Sequence, residues 1–278
     1  MRKTLIAALA ALTALALAAV AMAQNPAPTA SLEVSIAPSK VGTKKKPRSG
    51  RLELNAQTNR ESKSTASRIE IWIPKGAKLS TTGLKACSFG KANASGRAAC
   101  PAASKAGSGE ADALLNPYAT NPAPIKFVVT AFNGGKLNST DAATLRQQFP
   151  ESGSLYKKGR QYLVFHLASE SPEVDQALAG VITSVSHRLY AQKLTIEIPR
   201  NLQAPVDNPN NPSQSVYSSL QRLETSIGLK SGKNMLMALT DCPKARENQF
   251  QLRLTFVPNP TPPASKTATA IDGARCSG

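Results

Sequence analysis

The sequence predicts an all-β protein: an antiparallel β-sandwich, Ig-like or jelly-roll-like, with one or two short helices, preceded by a signal peptide. Three observations carry this. About ten short segments alternate apolar and polar residues with a period of two, the mark of half-buried strands. Only two stretches show both helix-start and helix-stop signals. The 278 residues include 17 Gly and 20 Pro, which with Asn punctuate the chain between the alternating segments. Strands and turns without intervening long helices argue for an antiparallel sandwich over βαβ units.

Leu32, Val34 and Ile36 alternate with Glu33 and Ser35. Leu52 and Leu54 repeat the pattern, and Ile69, Ile71 and Ile73 do so around Glu70 and Trp72 until Pro74-Lys75-Gly76 stops it. Ile125 to Phe132 predicts a strand ended by Asn133-Gly134-Gly135, and Leu163, Phe165 and Leu167 share one face of the next. Ile182 to His187, Leu194 to Ile198, Met235 to Leu239, Phe250 to Phe256 and Thr267 to Ile271 complete the set. Val216 to Leu229 fits both periods, and its second half is read as strand. Asp141 to Phe149, between Thr140 and Pro150, predicts a helix. Pro172 to Ala179 predicts a second, with Ser171 as cap, Pro in the first turn and Gly180 after it. Residues 31–278 are expected to form one domain with long loops, and 201–215, rich in Pro and Asn, is a candidate subdomain break.

The N-terminus begins Met1-Arg2-Lys3 and runs through an apolar stretch from Leu5 to Val20 to Ala21-Met22-Ala23. A basic start, an apolar core and an A-x-A site predict a signal peptide over residues 1–23. A short Pro/Ala tail over 24–30, expected to be flexible, follows. Export places the protein in an oxidising compartment, secreted or associated with the cell envelope, and no segment of the mature chain reads as transmembrane. There Cys87, Cys100, Cys242 and Cys276 are expected to form disulfides. Three pairings are possible, and the local one, Cys87–Cys100 with Cys242–Cys276, is preferred. Zinc is disfavoured, since neither His166 nor His187 stands at a ligand-like spacing from a Cys.

A search for catalytic chemistry finds little. Neither a nucleophile elbow nor a metalloprotease helix is present, and no cofactor motif is recognised. His166 lies in a strand pattern beside Tyr162 and Val164, where a packed histidine is the ordinary outcome; His187, next to Arg188, reads as solvated. Glu110 and Asp112 would share one side of an extended segment, roughly 7 Å apart. That spacing invites a glycosidase reading but more often marks a solvated strand face. Gly107-Ser108-Gly109 lacks the Lys-Ser/Thr and the helix of a phosphate loop and reads as a glycine turn. Trp72 alternates outward and is the single Trp, too few aromatics for a sugar or base platform.

Charge is the strongest feature. The chain has 34 Lys and Arg against 17 Asp and Glu. From Pro38 to Gly109 there are 15 basic and three acidic residues, a net of +12; from Glu110 to the end the net is only +4. Lys40, Lys44, Lys45, Lys46, Arg48 and Arg51 fall in one acid-free window whose Gly42, Pro47 and Gly50 make it a loop between strands. Such a cluster is either a polyanion contact or a solvated loop.

Ala86-Cys87-Ser88, Gly96, the run Cys100-Pro101 to Glu110-Ala111, Ile71-Trp72-Ile73-Pro74-Lys75-Gly76 and Asp241-Cys242-Pro243 with Phe250, Phe256 and Cys276 resemble secreted β-rich proteins of unknown function from high-GC actinobacteria. These are framework Cys, Gly and Pro positions, so the resemblance implies fold and export and no activity. The expected function is therefore a secreted, non-enzymatic β-sandwich of the cell envelope or extracellular space. It would adhere to an anionic cell-wall polymer or another polyanion through its basic N-terminal region. The alternatives are an extracellular hydrolase with an unidentified site, motivated only by the Glu110/Asp112 pair and His166, and a structural or assembly subunit using exposed strand edges.

Overall fold

The period-two segments become strands because one face of each finds a common apolar interior. In the computed structural model, which describes residues 26–59, 63–117, 119–208, 210, 214–257 and 266–278, Leu32, Val34 and Ile36 are buried while Glu33 and Ser35 stand in solvent. The expected signal peptide, residues 1–23, lies outside the described residues. Of the tail, Ala27 and Thr29 are hydrogen-bonded to Asn59.

The strands are β1 (Ala30–Ala37), β2 (Arg48–Ser49), β3 (Arg51–Thr58), β4 (Thr65–Pro74), β5 (Ala77–Leu79), β6 (Lys105–Leu115), β7 (Ala123–Lys136) and β8 (Gln161–Glu170). They continue with β9 (Glu173–Ser184), β10 (Tyr190–Glu197), β11 (Ser218–Ile227), β12 (Lys230–Ser231), β13 (Asn234–Met235), β14 (Met237–Leu239), β15 (Glu247–Val257) and β16 (Thr267–Arg275). The helices are α1 (Phe89–Ser95), α2 (Ser139–Gln148) and the single turn α3 (Arg200–Gln203).

Eleven strands form one sheet in the order β1-β3-β11-β6-β7-β8-β9-β10-β4-β15-β16, every neighbouring pair antiparallel. The sheet rolls nearly closed into a barrel. The two layers expected of a sandwich are its two walls, drawn together where Leu220 and Leu223 of β11 approach Ile69 of β4. An odd number of antiparallel strands forces the first and last to run the same way. β1 and β16 therefore meet in parallel and make only an isolated bridge, Lys40 to Ser277, with Val34 N–H bonded to Asp272 Oδ2 at 2.7 Å across the seam. The two edge strands thus lie against each other.

Strands from both sides of residues 201–215 are neighbours in this sheet: β11 sits between β3 and β6. A three-stranded sheet, β2-β14-β5, closes one end and fills the interior there with Leu79, Met237 and Leu239. Gly50 stands at its edge, where a Cβ would lie 2.8 Å from the Leu239 side chain and force it to shift.

Two local expectations are corrected. Pro172–Ala179 is not a helix but the first part of β9, in register with β8 (His166 opposite Ala177). Residues 177–182 are buried on both faces, the outer one under α1 and α2, so the segment shows no alternation and its Ser, Pro and Gly mimic helix signals. Gly107-Ser108-Gly109 is not a turn but the interior of β6. A Cβ at Gly107 would lie 1.6 Å from the Ser226 carbonyl oxygen, and one at Gly109 1.9 Å from that of Glu224, so glycine lets β11 pair closely. The strand expected to reach His187 stops at Ser184, and the ambiguous 216–229 stretch is strand from Ser218 to Ile227.

The outer core over β7–β9 is organised by Asp141 and Tyr162. Asn138 caps α2 by accepting from Asp141 N–H at 2.7 Å, two residues earlier than Thr140. Asp141 accepts from Gly90 N–H and from the Tyr162 hydroxyl, which itself accepts from Phe89 N–H. Burial, the largest cause, pushes the Tyr162 hydroxyl far above its ordinary pKa. Cys87 is bonded to Cys100 and Cys242 to Cys276. The first bond ties α1 to the approach to β6. The second joins the residues before β15 to those after β16, beside the β1–β16 seam. Among the described residues no helix is long and apolar enough to cross a membrane.

Candidate functional site

Because strands successive in the main sheet run in opposite directions, its connections alternate strictly between the two barrel ends. One end receives 38–50, 75–104, 137–160, 185–189 and 228–246. Lys40, Lys44, Lys45, Lys46 and Arg48 occupy the first of these, and Arg51 starts β3 directly after it. Lys44 and Lys45 form the tip of a turn closed by Thr43 N–H to Lys46 O and Lys46 N–H to Thr43 O, at 3.0 and 3.1 Å. Arg48 is held in β2 by pairing with β14. All six side chains are exposed.

The structure brings further cations to the same end. Lys75, Lys78 and Lys85 come from 75–86; Lys157, Lys158 and Arg160 from 156–160; Arg188 from 185–189; and Lys230, Lys233, Lys244 and Arg246 from 228–246. With the five from 38–50, sixteen Lys and Arg face a single acid, Asp241, in these segments. Among the described residues, the ion pairs lie on the barrel wall or at the opposite end, and none includes any of the sixteen. The signal for these extra residues was present in the turns themselves: Pro74-Lys75-Gly76, Lys157-Lys158-Gly159-Arg160 and Lys230-Ser231-Gly232-Lys233 each put Lys beside a turn glycine. Strand parity, which the linear sequence does not display, is what gathers them.

The residues that motivated the hydrolase alternative are not brought together. Glu110 and Asp112 do share the outer face of β6, and Asp112 is bound to Arg222 at 3.4 Å, which also holds Glu224. His166 lies on the outer face of β8, two strands away. The sheet spacing and register put it roughly 12 Å from Glu110. It is only 2% exposed, and its Nε2 faces Asp175. Trp72 is half-buried, edge-on to His187 and Tyr190, with Lys193 Nζ 5.2 Å from its ring centroid, so it offers no open platform. His187 is exposed and stacks on Tyr190.

Sequence reasoning missed one internal feature. The interior toward the other end holds a cavity of about 90 Å³, lined by residues of β4 and β6–β11 and roofed by Leu202 of α3. Among the described residues its only polar wall residues are Ser218 and Thr225, and Ser218 Oγ is spent on the Leu202 carbonyl. The roof is fixed by Arg200, whose guanidinium makes two hydrogen bonds to Asp207, at 2.8 and 2.9 Å. That hydrogen bonding holds the Asp207 carboxyl below its ordinary pKa.

No family model, no curated protein and no solved structure matches the chain.

Proposed function

We propose that this is a secreted, non-enzymatic protein of the cell envelope or extracellular space that adheres through one end of its barrel to a polyanion, such as an anionic cell-wall polymer. The observation that carries the reading is the excess of cations over acids on that end, sixteen to one in the turns named and nineteen to three over the complete connections, with none of these cations in an ion pair among the described residues. Exposed, unneutralised Lys and Arg on several adjacent turns suit a repeating phosphate or carboxylate chain. Binding would release condensed counterions and would weaken steeply with salt. The rigid sheet behind the turns keeps the charges on one side, so the molecule can lie end-on to a charged surface. The basic start, apolar run and A-x-A site of residues 1–23 support export, and two disulfides suit an oxidising compartment.

Retention on immobilised inorganic polyphosphate, compared with neutral dextran, tests this reading. Retention on polyphosphate that salt reverses is the expected result. Equal retention on both supports, or none on polyphosphate at low salt, overturns it.

A further inference from the structure

The second feature lies at the opposite end, where an eleven-stranded wall encloses more room than its side chains fill. Barrel diameter grows with strand number, and about eight strands give an interior that side chains just fill. Here the basic end is filled by the β2-β14-β5 layer, but the other half keeps the 90 Å³ cavity. It exists because small residues meet across it: Ala111 and Ala113 on β6, and Ala66 on β4 in the facing wall, all buried. Leu or Phe at these positions would close it. By comparison with the roughly 150 Å³ that admits benzene, the space takes about three or four carbon atoms, the end of a chain, in an apolar setting that water does not favour.

The cavity adjoins a surface cleft, its candidate mouth. Phe127, Leu202 and Ser218 line both the cavity and this cleft, bounded by Glu173, Asp175, Gln176 and Asn201. Gln176 and Asn201 exchange two amide hydrogen bonds at the rim, at 3.0 and 3.4 Å. The mouth therefore offers amide donors and acceptors, and two carboxylates that disfavour an anion. We infer that this cavity binds the end of the hydrocarbon tail of a single-chain amphiphile with an uncharged head, an alcohol or an ester, whose tail passes under Leu202 while the head meets Gln176 and Asn201. The apolar end and the basic end are separate, so one molecule can hold such a ligand while fixed to a polyanion.

Isothermal titration of the purified protein with octanol tests the inference, with octanoate as the charged comparison. One-to-one binding of octanol, with octanoate at least tenfold weaker, is expected. Ala111→Leu with Ala113→Leu should lower octanol affinity at least tenfold, while the Lys44, Lys45, Lys46 and Arg48 side chains can all be replaced by Gln without effect. Should the double variant fail to fold, Ala66→Val on the facing wall gives the same reading in milder form. No saturable octanol binding to the unmodified protein, or undiminished affinity in a folded variant with the cavity filled, overturns the site. Equal affinity for octanoate overturns the uncharged head.

Discussion

Neutralising the turn between β1 and β3 is the most direct perturbation of the basic end. Replacing Lys44, Lys45, Lys46 and Arg48 by Gln removes four of its sixteen cations within five residues of chain. All four side chains are exposed and, among the described residues, outside ion pairs, so stability should change by less than about 0.5 kcal/mol per site. On a flexible polyanion each neutralised phosphate contributes about 0.7 to the fall of log affinity with log salt, so losing four contacts lowers that slope by about 3. Between about 50 and 200 mM salt, this removes a roughly 50-fold part of the salt sensitivity. Fluorescence anisotropy with labelled polyphosphate across a sodium chloride series reads the slope directly, and the melting temperature controls for folding. An unchanged slope in a folded variant would refute the placement of the contact on this turn. A reduced affinity with unchanged slope would refute its electrostatic character.

The remaining predictions concern the frame that holds the two ends. Cys242→Ser with Cys276→Ser opens a 34-residue separation beside the β1–β16 seam and should cost about 4 kcal/mol in denaturant unfolding, with faster amide exchange at Val41 and Ser277; unaltered exchange there would contradict the seam argument. Gly107→Val forces a side chain into the Ser226 carbonyl and should destabilise by about 3 kcal/mol, and a neutral result would mean β6 and β11 do not pair as described. His166→Ala should lose about 1–3 kcal/mol of stability through lost packing while leaving polyphosphate affinity intact. The Asp207 carboxyl titrates lower in the folded protein than in the unfolded chain. Its bond to Arg200 is therefore fully stabilising at neutral pH, fades below about pH 4 and is gone beneath the folded value. Asp207→Asn should flatten the acid limb of melting temperature against pH, and an identical limb would show that this pair does not contribute.

Much of the fold was legible because half-buried strands write their burial into alternate residues. β1, β3, β4, β10 and β15 all follow their apolar positions. The signal failed where burial stopped alternating. In β9, α1 and α2 cover the outer face as the barrel interior covers the inner one, so Ala177 to Ile182 carry no period and local cap residues pointed to a helix. At Gly107 and Gly109 glycine serves closeness of approach, which is indistinguishable from turn chemistry until β11 is in place. The cavity was invisible for a related reason: Ala66, Ala111 and Ala113 read as ordinary small residues, and only their meeting across the interior leaves a space.

By itself the sequence determined the strands whose burial alternates, such as β1, β3, β4, β10 and β15, the cysteines available for cross-linking and the total of its charge. Those properties depend on nearest neighbours and composition. It located the basic excess in Pro38–Gly109 and left the remainder of the chain nearly balanced. Tertiary structure decided which turns stand together. The later part of the chain is balanced only along its length: in space, cations such as Lys157, Arg188, Lys230 and Lys244 join Lys44 at one end while most of the acids stay on the wall. The reason is the alternation of antiparallel strands, which sends every second connection to the same end however far apart those connections are in sequence.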